Sequence, residues 1–308
     1  MFGGTPNVAD LSAPTLRNFL LRHSLRAFLF IVLANLGMTT YLPMTTKVFA
    51  QRAIPDNSQT RPTLISIDGK SFGSGFYLNT EDAVWLITAK HVLFDDKGVL
   101  LGQKAESLGY NEGDDLGTVL EFDLKVLTAA GFLRSHKSAD AAVIKVASAT
   151  EPADKQRTLT PVAGVNLKQV SKQGITGTSN YLKFDDVAMG NDVIVYGYPN
   201  SIGLRAMPQI DQKQPLLRKG IVAGRNSTQH TIIIDCPSFN GNSGGPVVQI
   251  NNRVFEVDFK IIGIVSQFVP FDNSGWSAAI GGNATILNSG YSVVTPMDPV
   301  MDLISQVP

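Results

Sequence analysis

Asp235-Cys236-Pro237-Ser238-Phe239-Asn240-Gly241-Asn242-Ser243-Gly244-Gly245-Pro246 sets one serine between glycines. Glycine lets a backbone turn sharply and bring N–H groups close to a ligand with no Cβ in the way. The apolar run Thr231-Ile232-Ile233-Ile234 leads into the segment, and Val247-Val248-Gln249-Ile250 leads out. Two β-branched runs around a turn-rich segment predict a tight loop between strands, with Ser243 at its tip. A plain surface turn rich in Gly, Asn and Ser is the alternative reading of the same residues. A serine hydroxyl becomes a nucleophile only with a base beside it and donors for the developing oxyanion.

Two other segments supply candidates. Val84-Trp85-Leu86-Ile87-Thr88-Ala89-Lys90-His91 is an apolar run ending in a histidine. Ser138-Ala139-Asp140-Ala141-Ala142-Val143-Ile144-Lys145-Val146 opens a strand-like run with a carboxylate. Each is ordinary alone: a histidine satisfied at a strand end, an aspartate closing a turn. His136, four residues before Asp140, is a rival for the base.

Together the three segments resemble the trypsin-like serine peptidases of the chymotrypsin fold, and within them the bacterial Deg-type branch without a PDZ domain. The chain order His91, Asp140, Ser243 is that family's order and differs from those of subtilisins and α/β-hydrolases. Thr88-Ala89-Lys90-His91 is similar to its Thr-Ala-x-His motif. Asp140-Ala141-Ala142-Val143-Ile144-Lys145 and Asn242-Ser243-Gly244-Gly245-Pro246 are similar to motifs of the Deg-type branch. Phe72-Gly73-Ser74-Gly75-Phe76, Gly197-Tyr198-Pro199 and Lys219-Gly220-Ile221-Val222-Ala223-Gly224 are weaker echoes. The resemblance covers residues 63–305.

The resemblance implies an all-β fold of two antiparallel six-stranded β-barrels, closed by a short C-terminal helix. His91 and Asp140 would come from the first barrel and Ser243 from the second. It implies Ser243 as nucleophile, His91 as general base and Asp140 as the group that orients the imidazole. The oxyanion hole would fall on Gly241, Asn242 and Ser243, through the N–H groups of Gly241 and Ser243. Substrate would line Pro237, Ser238, Phe239, Asn240, Ser266, Gln267 and Phe268. Pro237 stands where Arg/Lys-specific relatives place a pocket aspartate, so a basic P1 residue is not expected and an apolar one is favoured. Digestive trypsins carry an aspartate directly before the nucleophile, which pairs with a new N-terminus; here it is Asn242, so that activation switch is not expected. The implied activity is hydrolysis of a protein or peptide substrate. A silent peptidase-fold binding protein and a serine esterase on the same fold stay open as alternatives.

Composition agrees with a packed β-protein. The chain has 308 residues, 44% of them hydrophobic, enough for a substantial core in one large or two modest domains. Lys+Arg and Asp+Glu number 26 each, and no basic run carries interleaved aromatics, so no nucleic-acid partner is expected. The single Cys236 excludes an intrachain disulfide and reads as a small buried residue rather than a nucleophile. No HExxH occurs and the four histidines have no metal-ligand spacing, so neither metal nor cofactor is expected.

Arg17, Arg22 and Arg26 precede the apolar run Ala27 to Leu36, and Val48-Phe49-Ala50 comes before Gln51. That is the layout of a secretory signal, cut after Ala50. An apolar stretch of about ten residues is short for a membrane span of roughly twenty. Uncut, it would serve as an N-terminal anchor and the only membrane contact. The expected plan is a leader over residues 1–50 and a flexible lead-in over 51–62. A first barrel comes next over 63–160, then a second barrel with its helix over 161–308. Residues 149–179 carry few strand signals. The expected location is the periplasm or the exterior.

Overall fold

The computed structural model describes Ile54 and residues 56–111, 117–150, 157–171, 173–200, 207–252, 257–272 and 286–308. The expected leader lies outside the described residues. Where a flexible lead-in was expected, Asp56–Thr60 forms a 3-10 turn.

Residues 54–308 make one compact unit with an all-β, chymotrypsin-like architecture. Its first half carries β1 (Pro62–Ile67), β2 (Ser71–Asn79), β3 (Ala83–Thr88), β4 (Lys104–Gly109) and β5 (Val119–Asp123). It continues with β6 (Leu133–Ser135), β7 (Ala142–Thr150), β8 (Thr158–Pro161), β9 (Val165–Gln169) and β10 (Ile175–Gly177). Two short helices interrupt it, α1 (Lys90–Leu93) after β3 and α2 (Leu124–Ala129) after β5. The strands form one sheet in the order β6-β7-β3-β2-β1-β4-β5-β9, with β8 beside β7 and β10 beside β2. The last pairing is parallel and the rest are antiparallel.

The second half carries β11 (Asp192–Gly197), β12 (Leu216–Asn226), β13 (Thr231–Asp235), β14 (Pro246–Asn252), β15 (Val257–Asp272) and β16 (Ile286–Pro296). These close into a six-stranded antiparallel barrel, β11-β12-β13-β16-β15-β14. Helix α3 (Met297–Ser305) continues directly from β16.

The first half is thus more extended than a closed six-strand barrel, and it runs past residue 160. β8, β9 and β10 all pair with the first sheet, and the closed barrel begins only at Asp192. These strands escaped the sequence because they are sheet margins. β8 is exposed along its whole length and β9 buries fully only Val165. An exposed edge strand has no apolar alternation to show.

The alternation of β11 explains how the halves join. Val193 and Val195 face the inside of the closed barrel, with Ile232, Ile234, Val247 and Cys236. Ile194 and Tyr196 point the other way and join the core of the first half, with Phe76, Trp85 and Phe122. Successive side chains on a strand point to opposite faces, so one strand serves both cores. α3 adds Met297, Val300 and Leu303 to the larger core, a one-sided helical stripe. Its Pro299 sits in the first turn, where a missing N–H costs nothing. No helix among the described residues is long and apolar enough to cross a membrane.

Candidate active site

β3 is buried at every position from Ala83 to Thr88, which anchors the turn beyond it. The chain then enters α1, whose Val92 and Leu93 are buried while His91 faces solvent with its side chain 46% exposed. His91 therefore stands on the first turn of a short helix, just beyond the strand end. Asp140 lies two residues before β7, the neighbour of β3 in the sheet. This pairing brings the two together. Asp140 Oδ2 lies 2.8 Å from His91 Nδ1, and Asp140 Oδ1 accepts the backbone N–H of His91 at 3.1 Å.

Burial opposes ionisation of Asp140. The hydrogen bond from His91, the charge of that ring, the Ser266 hydroxyl and the His91 backbone N–H outweigh it and hold the carboxyl below its ordinary range. Ser266 Oγ donates to Asp140 Oδ2 at 2.5 Å. The resemblance gave Ser266 to substrate; the structure also ties its hydroxyl to Asp140. His136 Nδ1 accepts the N–H groups of Ser138 and Ala139 and so shapes the turn before Asp140.

His91, Asp140, Ser266 and Gln267 line a cavity of about 540 Å³, together with Lys90, Asp95, Asp96, Ser138 and Ala139. Ser243 is not part of that lining. Its hydroxyl forms no hydrogen bond among the described residues, so the structure joins His91 to Asp140 but not Ser243 to His91. The loop is nonetheless tied to the supports of that pair from two sides. Gly244 N–H donates to the Val265 carbonyl, and Val265 N–H to the Gly245 carbonyl, one residue before Ser266. On the other side, a Cβ on Gly244 would lie 2.2 Å from Thr88 Oγ1 and 2.7 Å from Ala89 N. Gly244 has φ +81°, so glycine is needed there for both space and conformation.

The loop backbone is pinned in an alternating way. Asn240 C=O accepts from Asn200 N–H, and Gly241 C=O from the Ser74 hydroxyl. Asn242 C=O accepts from Gly245 N–H, and Ser243 C=O from Ser74 N–H. The N–H groups of Asn242, Gly244 and Gly245 all donate, to Phe239, Val265 and Asn242. Over residues 241–245 the N–H groups of Gly241 and Ser243 are the two left without a partner among the described residues. In a trans peptide the N–H points opposite to its own C=O. Each free N–H therefore faces away from the group that pins its peptide's carbonyl.

The other expected site residues divide. Asn242 is buried and its Oδ1 accepts the Phe239 N–H, so the side chain braces its own loop. Ser238 is buried, and its hydroxyl pairs with Ser292 Oγ at 2.8 Å. Pro237 and Phe239 are half-buried and Asn240 is exposed, with the Arg218 guanidinium 4.5 Å above the Phe239 ring. Gln267 is exposed and Phe268 half-buried on β15. Cys236 is buried and its thiol is pushed up to about 11 by burial, far from a reactive thiolate. Among the described residues no cluster of acidic, histidine and cysteine side chains could hold a metal ion.

The profile of the trypsin-like peptidase domain family matches residues 73–255, which hold all three candidate catalytic residues. No curated protein matches the chain. Among solved structures, the HtrA-type protease AlgW with a tripeptide is similar at a TM-score of 0.44 and 16% identity. That match covers 80% of this chain and 60% of that one. The same protease with a decapeptide is similar at a TM-score of 0.41 and 18% identity, covering 76% and 50%. The chain spans three fifths or less of the length of those structures.

Proposed function

The chain belongs to the trypsin-like peptidase family, and from that premise we propose that it is an exported serine endopeptidase working through Ser243, His91, Asp140 and an acyl-enzyme. The observation that carries the reading is the double hold of Asp140 on His91, beside a glycine loop whose two unpaired N–H groups flank Asn242. Asp140 fixes Nδ1 as the protonated nitrogen and leaves Nε2 to take the Ser243 proton. Ser243 then attacks a peptide carbonyl. The oxyanion meets the N–H groups of Gly241 and Ser243, where losing one donor costs about 3–4 kcal/mol of transition-state stabilisation. His91 returns the proton to the leaving amine, and water repeats the sequence to release the acid.

Nothing in this cycle calls on a cofactor. Peptide carbonyls reach the site along β15, past Gln267 and Phe268, with the side chain before the scissile bond toward Pro237 to Asn240. An apolar residue is favoured there. Asn242 braces the loop without a charge, so removal of the leader alone yields the active form.

The test is covalent labelling of residues 51–308 with a fluorophosphonate, beside Ser243→Ala and His91→Ala. Labelling lost in both variants, with casein clearing by the wild type and turnover down roughly a millionfold in Ser243→Ala, is the expected result. Labelling without casein cleavage makes it an esterase. A folded wild type that does not label is a binding protein on a peptidase fold.

A further inference from the structure

We infer that Ser74 is a positioning residue for the oxyanion donors. The inference rests on the serine peptidase reading above. Ser74 comes from β2 in the first sheet, yet it makes four bonds around the loop of the closed barrel. Its hydroxyl donates to Gly241 C=O at 2.6 Å and accepts from Tyr198 N–H at 2.9 Å. Its backbone N–H donates to Ser243 C=O at 2.8 Å, and its backbone C=O accepts the Thr88 hydroxyl at 2.7 Å. The residue is fully buried.

The direction of the hydroxyl proton is fixed by this arrangement. Tyr198 N–H brings its own hydrogen to Ser74 Oγ, so the hydroxyl hydrogen is free to go to Gly241 C=O. Ser74 thereby clamps two peptides, the one after Gly241 and the one after Ser243. Between them lies the peptide carrying the Ser243 N–H, and just before them the one carrying the Gly241 N–H. Gly241 has φ +95°, a region where glycine is free to move. Such a peptide keeps one orientation only while its carbonyl is held. The same Tyr198 segment supplies Asn200 N–H, which pins Asn240 C=O at 2.6 Å. One buried hydroxyl thus joins the first sheet, the Tyr198–Asn200 segment and the loop of Ser243. Among the described residues, neither His91 nor Asp140 is a hydrogen-bond partner of Ser74.

Ser74→Ala removes the hydroxyl's hold on Gly241 C=O, keeps the backbone bond to Ser243 C=O, and leaves two buried backbone groups, Gly241 C=O and Tyr198 N–H, unpaired. The experiment compares wild type, Ser74→Ala and the similarly sized Ser74→Cys, in full-length mature protein. It reads casein-derived peptide hydrolysis and the pH profile of the rate. It also reads inhibition by a peptide aldehyde, whose adduct needs the oxyanion donors, against the matching peptide alcohol, which does not. The expected result is a kcat about ten- to a hundredfold lower in Ser74→Ala, at nearly constant KM. The aldehyde weakens in parallel, the alcohol binds as before, and the midpoint of the pH profile stays in place because the His91–Asp140 pair is untouched. Ser74→Cys loses at least about fivefold, since a thiol is a weaker donor. Unchanged kcat in either folded variant overturns the inference, as does equal weakening of aldehyde and alcohol. If Ser74→Ala fails to fold, Ser74→Cys decides alone. A wild type that neither cleaves peptides nor labels sinks the peptidase reading instead.

Discussion

Asp140 grips His91 at two points, 2.8 Å at ring Nδ1 and 3.1 Å at the backbone N–H. The two bonds together set both the tautomer and the position of the imidazole. The carboxylate belongs to the lead-in of β7 and the histidine to the short helix after β3, so the geometry depends on the β3–β7 pairing. Local sequence alone could not have built it.

Replacing Asp140 with Asn keeps the shape and loses the charge. An amide cannot stabilise the imidazolium, and it can hold the ring in the wrong tautomer. The expected outcome is a kcat lower by about 10⁴-fold with a small effect on KM. Steady-state hydrolysis of a casein-derived peptide checks it, with circular dichroism to show that the fold is kept.

Acid sensitivity has its origin in the same carboxylate. Its folded value lies below the ordinary one because the bonds from His91 and Ser266 outweigh burial. A lowered folded value stabilises the folded chain fully above the unfolded value of about 3.9, and the gain is lost as pH falls through the folded value. The stability gap between wild type and Asp140→Asn should therefore be constant at neutral pH and close in acid. Urea unfolding across pH 2–7 (roughly the span set by the ordinary value) reads this directly, and a gap that widens in acid contradicts it.

Ser266→Ala removes one of the bonds that lower the Asp140 value. The carboxyl value should then rise toward the ordinary range, so the acid loss of stability begins at a higher pH. Hydrogen bonds to charged groups contribute about 1.5–3 kcal/mol in favourable settings, and less where solvent reaches the pair. Carbon-detected NMR of the Asp140 carboxyl gives the shift, and an unmoved midpoint would show that Ser266 does not act on it.

The candidate catalytic residues were more legible than the contacts that support them. Ser243, His91 and Asp140 stood out because glycines and short strands mark them within a few residues. The Ser266–Asp140 bond spans 126 positions. The Ser74–Gly241 bond spans 167. Nothing near either serine signals a distant partner, although Phe72-Gly73-Ser74-Gly75-Phe76 stood out as a motif without a role. The expected strand end at His91 became a helix because Val92 and Leu93 bury on one side of a turn. The break between halves fell later than residue 160 because β8 to β10 lie on the sheet's margins, where burial leaves no periodic trace.

Two glycines with nearly equal φ separate strain from crowding. Gly244 has φ +81° and Gly190 has φ +83°. Around Gly190 nothing lies within 4 Å of where a Cβ would stand, so Gly190→Ala meets only the left-handed backbone, at about 1–2 kcal/mol. A Cβ on Gly244 would meet Thr88 Oγ1 at 2.2 Å and the Ser74 carbonyl at 2.3 Å. Backbone oxygen cannot step aside as a flexible side chain can, so overpacking adds roughly 1–3 kcal/mol more. Gly244→Ala should therefore unfold at clearly lower urea than Gly190→Ala and lose fluorophosphonate labelling, because the displaced loop carries Ser243. Gly190→Ala should label at the wild-type rate. Equal unfolding midpoints for the two variants would mean that the loop yields to the added methyl and that its packing against Thr88 does not fix the position of Ser243.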